Sequence, residues 1–185
     1  MSRPSQVIVV AEDNHQQMLL YRYLIKRGLQ RHQITIKVSP SGKGSAESWV
    51  RRRYVVEVRA YRNRQARASS ALIVVVDADR NTLHQRLAQL NHELSGENGS
   101  PVSEEEQVAR LVPKRNIETW ILSLNRHAVD EETDYKRTRD DWEDLIPPAA
   151  NTLAQWTRQQ PEPTNNVIPS LQNGIGEPRR LRLRE

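Results

Sequence analysis

The 185-residue chain contains no cysteine, so disulfides, thiolate metal ligands and cysteine nucleophiles are excluded, and any metal must rest on oxygen or imidazole. Phenylalanine is absent too, and aromatic residues make up only 5%. Hydrophobic residues reach 36%, but Val, Leu and Ile gather in short dense blocks, which argues for packed elements over disorder. No apolar run approaches a membrane span or the core of a signal peptide: the N-terminal one is Val7 to Ala11, after which acids begin. These absences lead us to expect a cytoplasmic chain with no membrane partner. A chain of this length buries roughly 70% of its unfolded surface and needs no covalent or metal staple to fold.

Charge is present in quantity and unevenly placed. Between Lys43 and Arg67 there are eight basic residues and two acids, whereas Asp130 to Asp144 holds eight acids and three bases. A polyanion would meet the first stretch and be repelled by the second. Lys43, Arg51 and Arg52 are the candidate nucleic-acid contacts there. The stripe Trp49, Val50, Tyr54, Val58 and Tyr61 reads as core, which leaves the arginines for backbone contact.

Val7–Ala11 (VIVVA) and Leu72–Val76 (LIVVV) are continuous, β-branched runs, as expected of strands covered on both faces. Gln33–Val38 alternates and reads as a strand nearer an edge, and Val108–Val112 reads as a fourth, stopped by Pro113. Helical spacing covers Asn14–Leu29 with Gly28 at its stop, Glu47 to about Ala68, Asn81–Leu94 and Asn116–Leu124. Alternation of strand and helix predicts an α/β fold with a parallel sheet of about four strands and right-handed crossovers. The expected organisation is one domain over residues 1–128, with a helical or irregular extension, 129–185, packed on it.

Acids stand at both apolar strand exits: Glu12 and Asp13 after the first run, Asp77 and Asp79 after the second. In an extended chain Asp77 and Asp79 point to the same side, and Glu12 closes a triangle from the neighbouring strand. Three carboxylates without thiolates suit Mg²⁺ or Mn²⁺. Capping of the following helices explains Asp13 or Asp79 taken singly, but three acids at adjacent exits crowd like charge unless a cation neutralises it. Ser41-Gly-Lys-Gly-Ser45 lacks the Gly and Ser/Thr spacing of a nucleotide-binding loop. None of the five histidines falls in HxxH or HExxH spacing.

The segments VIVVAED, LIVVVDADR and VPKRNIETWIL resemble a TOPRIM domain, most closely the small proteins akin to the overcoming-lysogenisation (OLD) nucleases, over about residues 5 to 125. The resemblance implies a TOPRIM-like sheet with helices on both faces and a helical C-terminal extension, and metal-dependent hydrolysis of phosphodiesters, DNA ahead of RNA, in phage defence. It implies Asp77, Asp79 and Glu12 as metal ligands, Glu12 also as general acid or base, Glu118 as a further acidic catalytic group, and Lys114 and Arg115 as phosphate contacts. An ATPase partner subunit is implied as well, and a homo-oligomer is compatible with it. The chain departs from the pattern where Asp13 replaces a Gly and Gln16 stands where an acid is usual, which puts a second metal in question.

Two other readings compete. A receiver domain, which also binds Mg²⁺, would take Glu12 and Asp13 as its acid pair, Asp77 as phosphoacceptor and Lys114 as its lysine, but Asp13 and Asp77 stand too far apart in sequence. A non-catalytic TOPRIM-like subunit would use the acidic Asp130–Asp144 segment with Trp142 as an interaction surface.

Overall fold

The computed structural model describes residues 3–42, 44–96, 99–158 and 167–183. It is an α/β fold around a four-stranded, all-parallel sheet made of β1 (Gln6–Ala11), β2 (Ile34–Val38), β3 (Ser70–Val75) and β4 (Val108–Leu111), in the order β2-β1-β3-β4. Five residues of β1 and all of β3 are buried, as their unbroken apolar runs require, whereas every residue of the edge strand β2 is half-buried. Register pairs Val7 with Ile34 and Ala71, and Val9 with Ile36 and Ile73.

Because strand side chains alternate, the sheet feeds two separate cores. Val7, Val9, Ala11, Ala71, Ile73 and Val75 face the layer of α1 (Asn14–Lys26), α4 (Ile117–Leu124), α5 (Trp142–Trp156) and α6 (Pro169–Gly176). Ile8, Val10, Leu72 and Val74 face α2 (Ala46–Arg64) and α3 (Leu83–Gly96). The first core includes residues from Val7 to Leu124 and from Trp142 to Leu183, so residues on both sides of position 128 share it.

Local signals account for the element ends. Gly28 stops α1 with φ +83°, a backbone that other residues adopt only with strain, and Leu29 N–H returns to the Leu24 carbonyl at 3.1 Å. Helix α2 starts at Ala46, with Ser45 accepting from Ser48 N–H at 3.4 Å, and ends at Arg64. Pro147 and Pro148 lie inside α5, where they have no N–H to donate toward Glu143 and Asp144. Helix α6 closes on α4 because Gly174 has no side chain: a Cβ there would overlap the Trp120 ring, whose indole N–H donates to Ser170 at 2.8 Å.

The short 3₁₀ turn Glu177–Leu181 packs beside β4, and Glu177 accepts from the Arg110 backbone N–H at 2.8 Å. Among the described residues no helix is long and apolar enough to cross a membrane.

The connection after β1 (α1) and the one after β3 (α3) lie on opposite faces of the sheet. Such a fold leaves a crevice at the carboxyl ends of these two neighbouring strands, the position where ligands settle in open α/β sheets.

Candidate functional site

That crevice receives the Glu12-Asp13-Asn14 turn from β1 and Asp77 from β3. Glu12 Oε1 accepts from the Asp77 backbone N–H at 2.6 Å, so the two acids meet directly across the strand exits. Gln16, on the first turn of α1 and fully buried, joins them: its Oε1 accepts from Glu12 N–H at 2.8 Å and its Nε2 donates to Asp77 Oδ1 at 2.8 Å. Asp13 caps α1 by accepting from Gln16 N–H at 3.1 Å, and its other oxygen accepts from Lys136 Nζ at 2.6 Å. Position 16, where the sequence lacks an acid, is a bridge between two others.

The electrostatics follow from this crowding. Burial, reinforced by the charges of Asp79 and Asp13, pushes the Glu12 carboxyl up to about 7, against the pull of the Asp77 N–H. Asp77 is only 6% exposed, and burial, then the charges of Glu12, Asp13, Glu118 and Asp79, hold it well above the usual carboxylate range. Burial works against the Lys136 ammonium, but its bond to Asp13 and the charges of Asp13, Glu118 and Asp77 hold it above the ordinary lysine value.

Asp79 does not join Asp77 as the alternation rule predicts. The chain leaves extended geometry before it, and Asp79 sits at φ +55° with 54% of its side chain exposed, 3.6 Å from the buried guanidinium of Arg86. Period two holds only while the backbone stays extended, and β3 ends at Val75. Among the described residues no group of three or more His, Asp or Glu has the geometry to hold a metal ion, so the expected triangle of Glu12, Asp77 and Asp79 is reduced to its first two members.

Glu118 differs from expectation in another way. It is fully buried, with no opening to solvent, and its Oε1 lies 2.6 Å from His15 Nδ1 while its Oε2 has no hydrogen-bond partner among the described residues. That bond is the first cause of a raised His15 pKa, followed by burial, which opposes it, and the negative charge of Glu118 and Asp13. The Trp142 ring lies 6.1 Å from the imidazole, centroid to centroid. The pair escapes sequence reading because its members are 103 positions apart. The available signal was that His15 lies three positions after Glu12 in the chain.

The expected phosphate contacts divide. Lys114 sits on the rim, donating to the Asn81 carbonyl at 3.2 Å beside the loop after β3, with Glu132 at 3.4 Å. Arg115 faces Asp134 at 4.0 Å. The acidic segment thus passes along this rim. Arg51 pairs with Glu47 at 2.7 Å and Glu93 at 2.9 Å, while Arg52 meets Ser48 at 3.1 Å and is exposed. Lys43 lies outside the described residues. A cavity of about 750 Å³ elsewhere, walled by Ser123, Arg126, His127, Trp156 and Ile168, contains none of these acids. Chemistry rather than volume therefore marks the crevice.

The chain matches no protein-family model, no curated protein and no solved structure.

Proposed function

We propose that the crevice between β1 and β3 is a divalent-metal site for hydrolysis of nucleic-acid phosphodiesters, in a TOPRIM-like protein of the OLD nuclease type that acts in phage defence with an ATPase partner. One observation carries this reading. Two carboxyl groups, the half-buried Glu12 and the buried Asp77, meet at the strand exits with Asp13 and Glu118 close by, and among the described residues the neighbouring cations Lys136 and Arg86 contact Asp13, Asp79 and Glu47 rather than these two. Acids packed this way ask for an added cation.

The residues fit a Mg²⁺ or Mn²⁺ ion. The donors are all oxygen, and such ions take one or two carboxylates and complete their shell with water and substrate phosphate. Glu12 and Asp77 would hold it, with Asp79 left at the rim. When bound, the ion would supply charge neutralisation and a more acidic water. Gln16 fixes the Asp77 carboxyl and the Glu12 backbone through its two bonds, and Lys114 offers a positive charge to an incoming phosphate. In the metal-free site the Glu12 carboxyl, pushed up to about 7 by burial, can keep or release a proton at its other oxygen.

A second reading is favoured by Gln16 itself. Its amide already occupies Asp77 Oδ1, as a subunit that keeps the fold for binding and not for cleavage would require. Calorimetry with Mg²⁺ and Mn²⁺ and a cleavage assay on DNA and RNA separate the two. The proposed enzyme binds the ion and cleaves, and Asp77→Asn lowers the rate by about 100-fold or more, in the range seen for single electrostatic groups. Unchanged cleavage by Asp77→Asn would overturn the site, and metal binding without cleavage would establish the binding subunit.

A further inference from the structure

His15 and Glu118 serve no purpose in the metal reading as stated, and their geometry is costly. A carboxylate with no solvent exposure and one unpartnered oxygen carries a large desolvation penalty, and an imidazole at 2.6 Å is its single partner among the described residues. The pair lies beside the crevice: His15 immediately precedes Gln16, whose side chain links Glu12 and Asp77, and the charge of Glu118 is felt at Asp77. The imidazole remains 25% exposed, and among the described residues its second nitrogen is held by no partner. A carboxylate that fixes one ring nitrogen sets the tautomer and direction of the other, the arrangement used for proton transfer.

We propose that His15 is a general acid of this site, donating a proton from Nε2 to the leaving oxygen of the phosphodiester, and that Glu118 is the residue that positions it. The inference rests on the metal-phosphodiester reading above. As the bond from phosphorus to the leaving oxygen breaks, its electron pair stays on that oxygen, which takes the Nε2 proton. The attacking water forms the new bond to phosphorus and releases a proton to solvent, and solvent reprotonates His15. The charged and titratable groups facing the imidazole are Glu118 from α4, Asp13 from the turn before α1 and Lys136 from the acidic segment, with the Trp142 ring from α5 as its apolar wall. The acids outnumber the lysine, and the protonated ring is the form they favour.

The test uses the full chain with Mn²⁺ and two substrates, a DNA oligonucleotide with a poor alkoxide leaving group and bis(4-nitrophenyl) phosphate, whose leaving group needs no protonation. His15→Gln is expected to lose ~100-fold on DNA and no more than ~10-fold on the nitrophenyl ester. Glu118→Gln is expected to lose ~10-fold on DNA and to move the alkaline limb of its pH profile to lower pH, with a matching fall in the His15 titration followed by NMR. Equal losses on both substrates with His15→Gln, or a full DNA rate, would overturn the general-acid role while the metal site stands. A wild type inert on both substrates would overturn the hydrolytic reading, and Asp77→Asn cleaving like the wild type would overturn the metal site, each taking the general acid with it. Circular dichroism reports folding separately: if His15→Gln has lost its native spectrum, His15→Asn repeats the comparison.

Discussion

Two acids of this protein are almost equally buried, and their surroundings are opposite. Glu57, on α2 and 2% exposed, has Lys37 at 2.6 Å and Arg53 at 2.7 Å. Asp77, at the exit of β3 and 6% exposed, has the neutral amide of Gln16 and four further acids around it. The arginine-rich helix that suggests a polyanion track has its charges largely engaged at home: Arg51 with Glu47 and Glu93, Arg53 with Glu57, and Arg62 with Glu106 at 2.7 Å. Folding gives Arg51, Arg53 and Arg62 of the basic helix carboxylate partners but leaves the crevice short of positive charge. A binding site is better identified by which charges remain uncompensated than by where charge is dense.

The largest effect that would break this contrast is its pH dependence. Glu12 and Asp77, raised above their unfolded values, keep protons in the folded state that the unfolded chain has released. Stability is therefore fully present at low pH and declines as pH rises from about 4.5 through 7, by on the order of 3 kcal/mol for Glu12 alone. His15, raised above 6.5, loses stability in the same direction as pH climbs through its folded value. Urea unfolding in EDTA at pH 5 and pH 8 measures the decline. Mg²⁺ at pH 8 should recover it, and Asp77→Asn, which still accepts from Gln16, should reduce it. A metal-free protein more stable at pH 8 than at pH 5 would break the comparison.

A smaller effect is expected from Glu57→Gln. Its partners are 31% and 35% exposed and can return to water, so the loss should be about 1–2 kcal/mol in urea unfolding, the same with and without Mg²⁺. The smallest effect belongs to Arg52→Ala: stability within about 0.5 kcal/mol of the wild type, and a log-log salt dependence of DNA binding shallower by ~0.9. An unchanged slope would remove Arg52 from the nucleic-acid surface.

The sheet was legible in the sequence because β1 and β3 are unbroken β-branched runs that only a doubly covered strand explains. Gly28 marked the end of α1 for the same reason that its φ of +83° needs no side chain. Glu12 and Asp77 were legible as a pair because each follows such a strand directly. Asp79 was not, because a left-handed residue cancels alternation, and nothing in the local pattern announces φ +55°. The His15–Glu118 contact and the reach of Lys136 to Asp13 depend on how α4 and the acidic segment settle against α1, over separations of 103 and 123 residues. No local rule spans that distance.

Glu177, by taking the Arg110 N–H, also determines how copies of this protein can associate. It occupies a donor that another chain's carbonyl would need in order to add a fifth strand next to β4. The other border, β2, keeps its outer backbone groups for such an addition. A carboxylate from the C-terminal turn therefore covers one donor of this border, and Glu177→Ala would return it to the solvent.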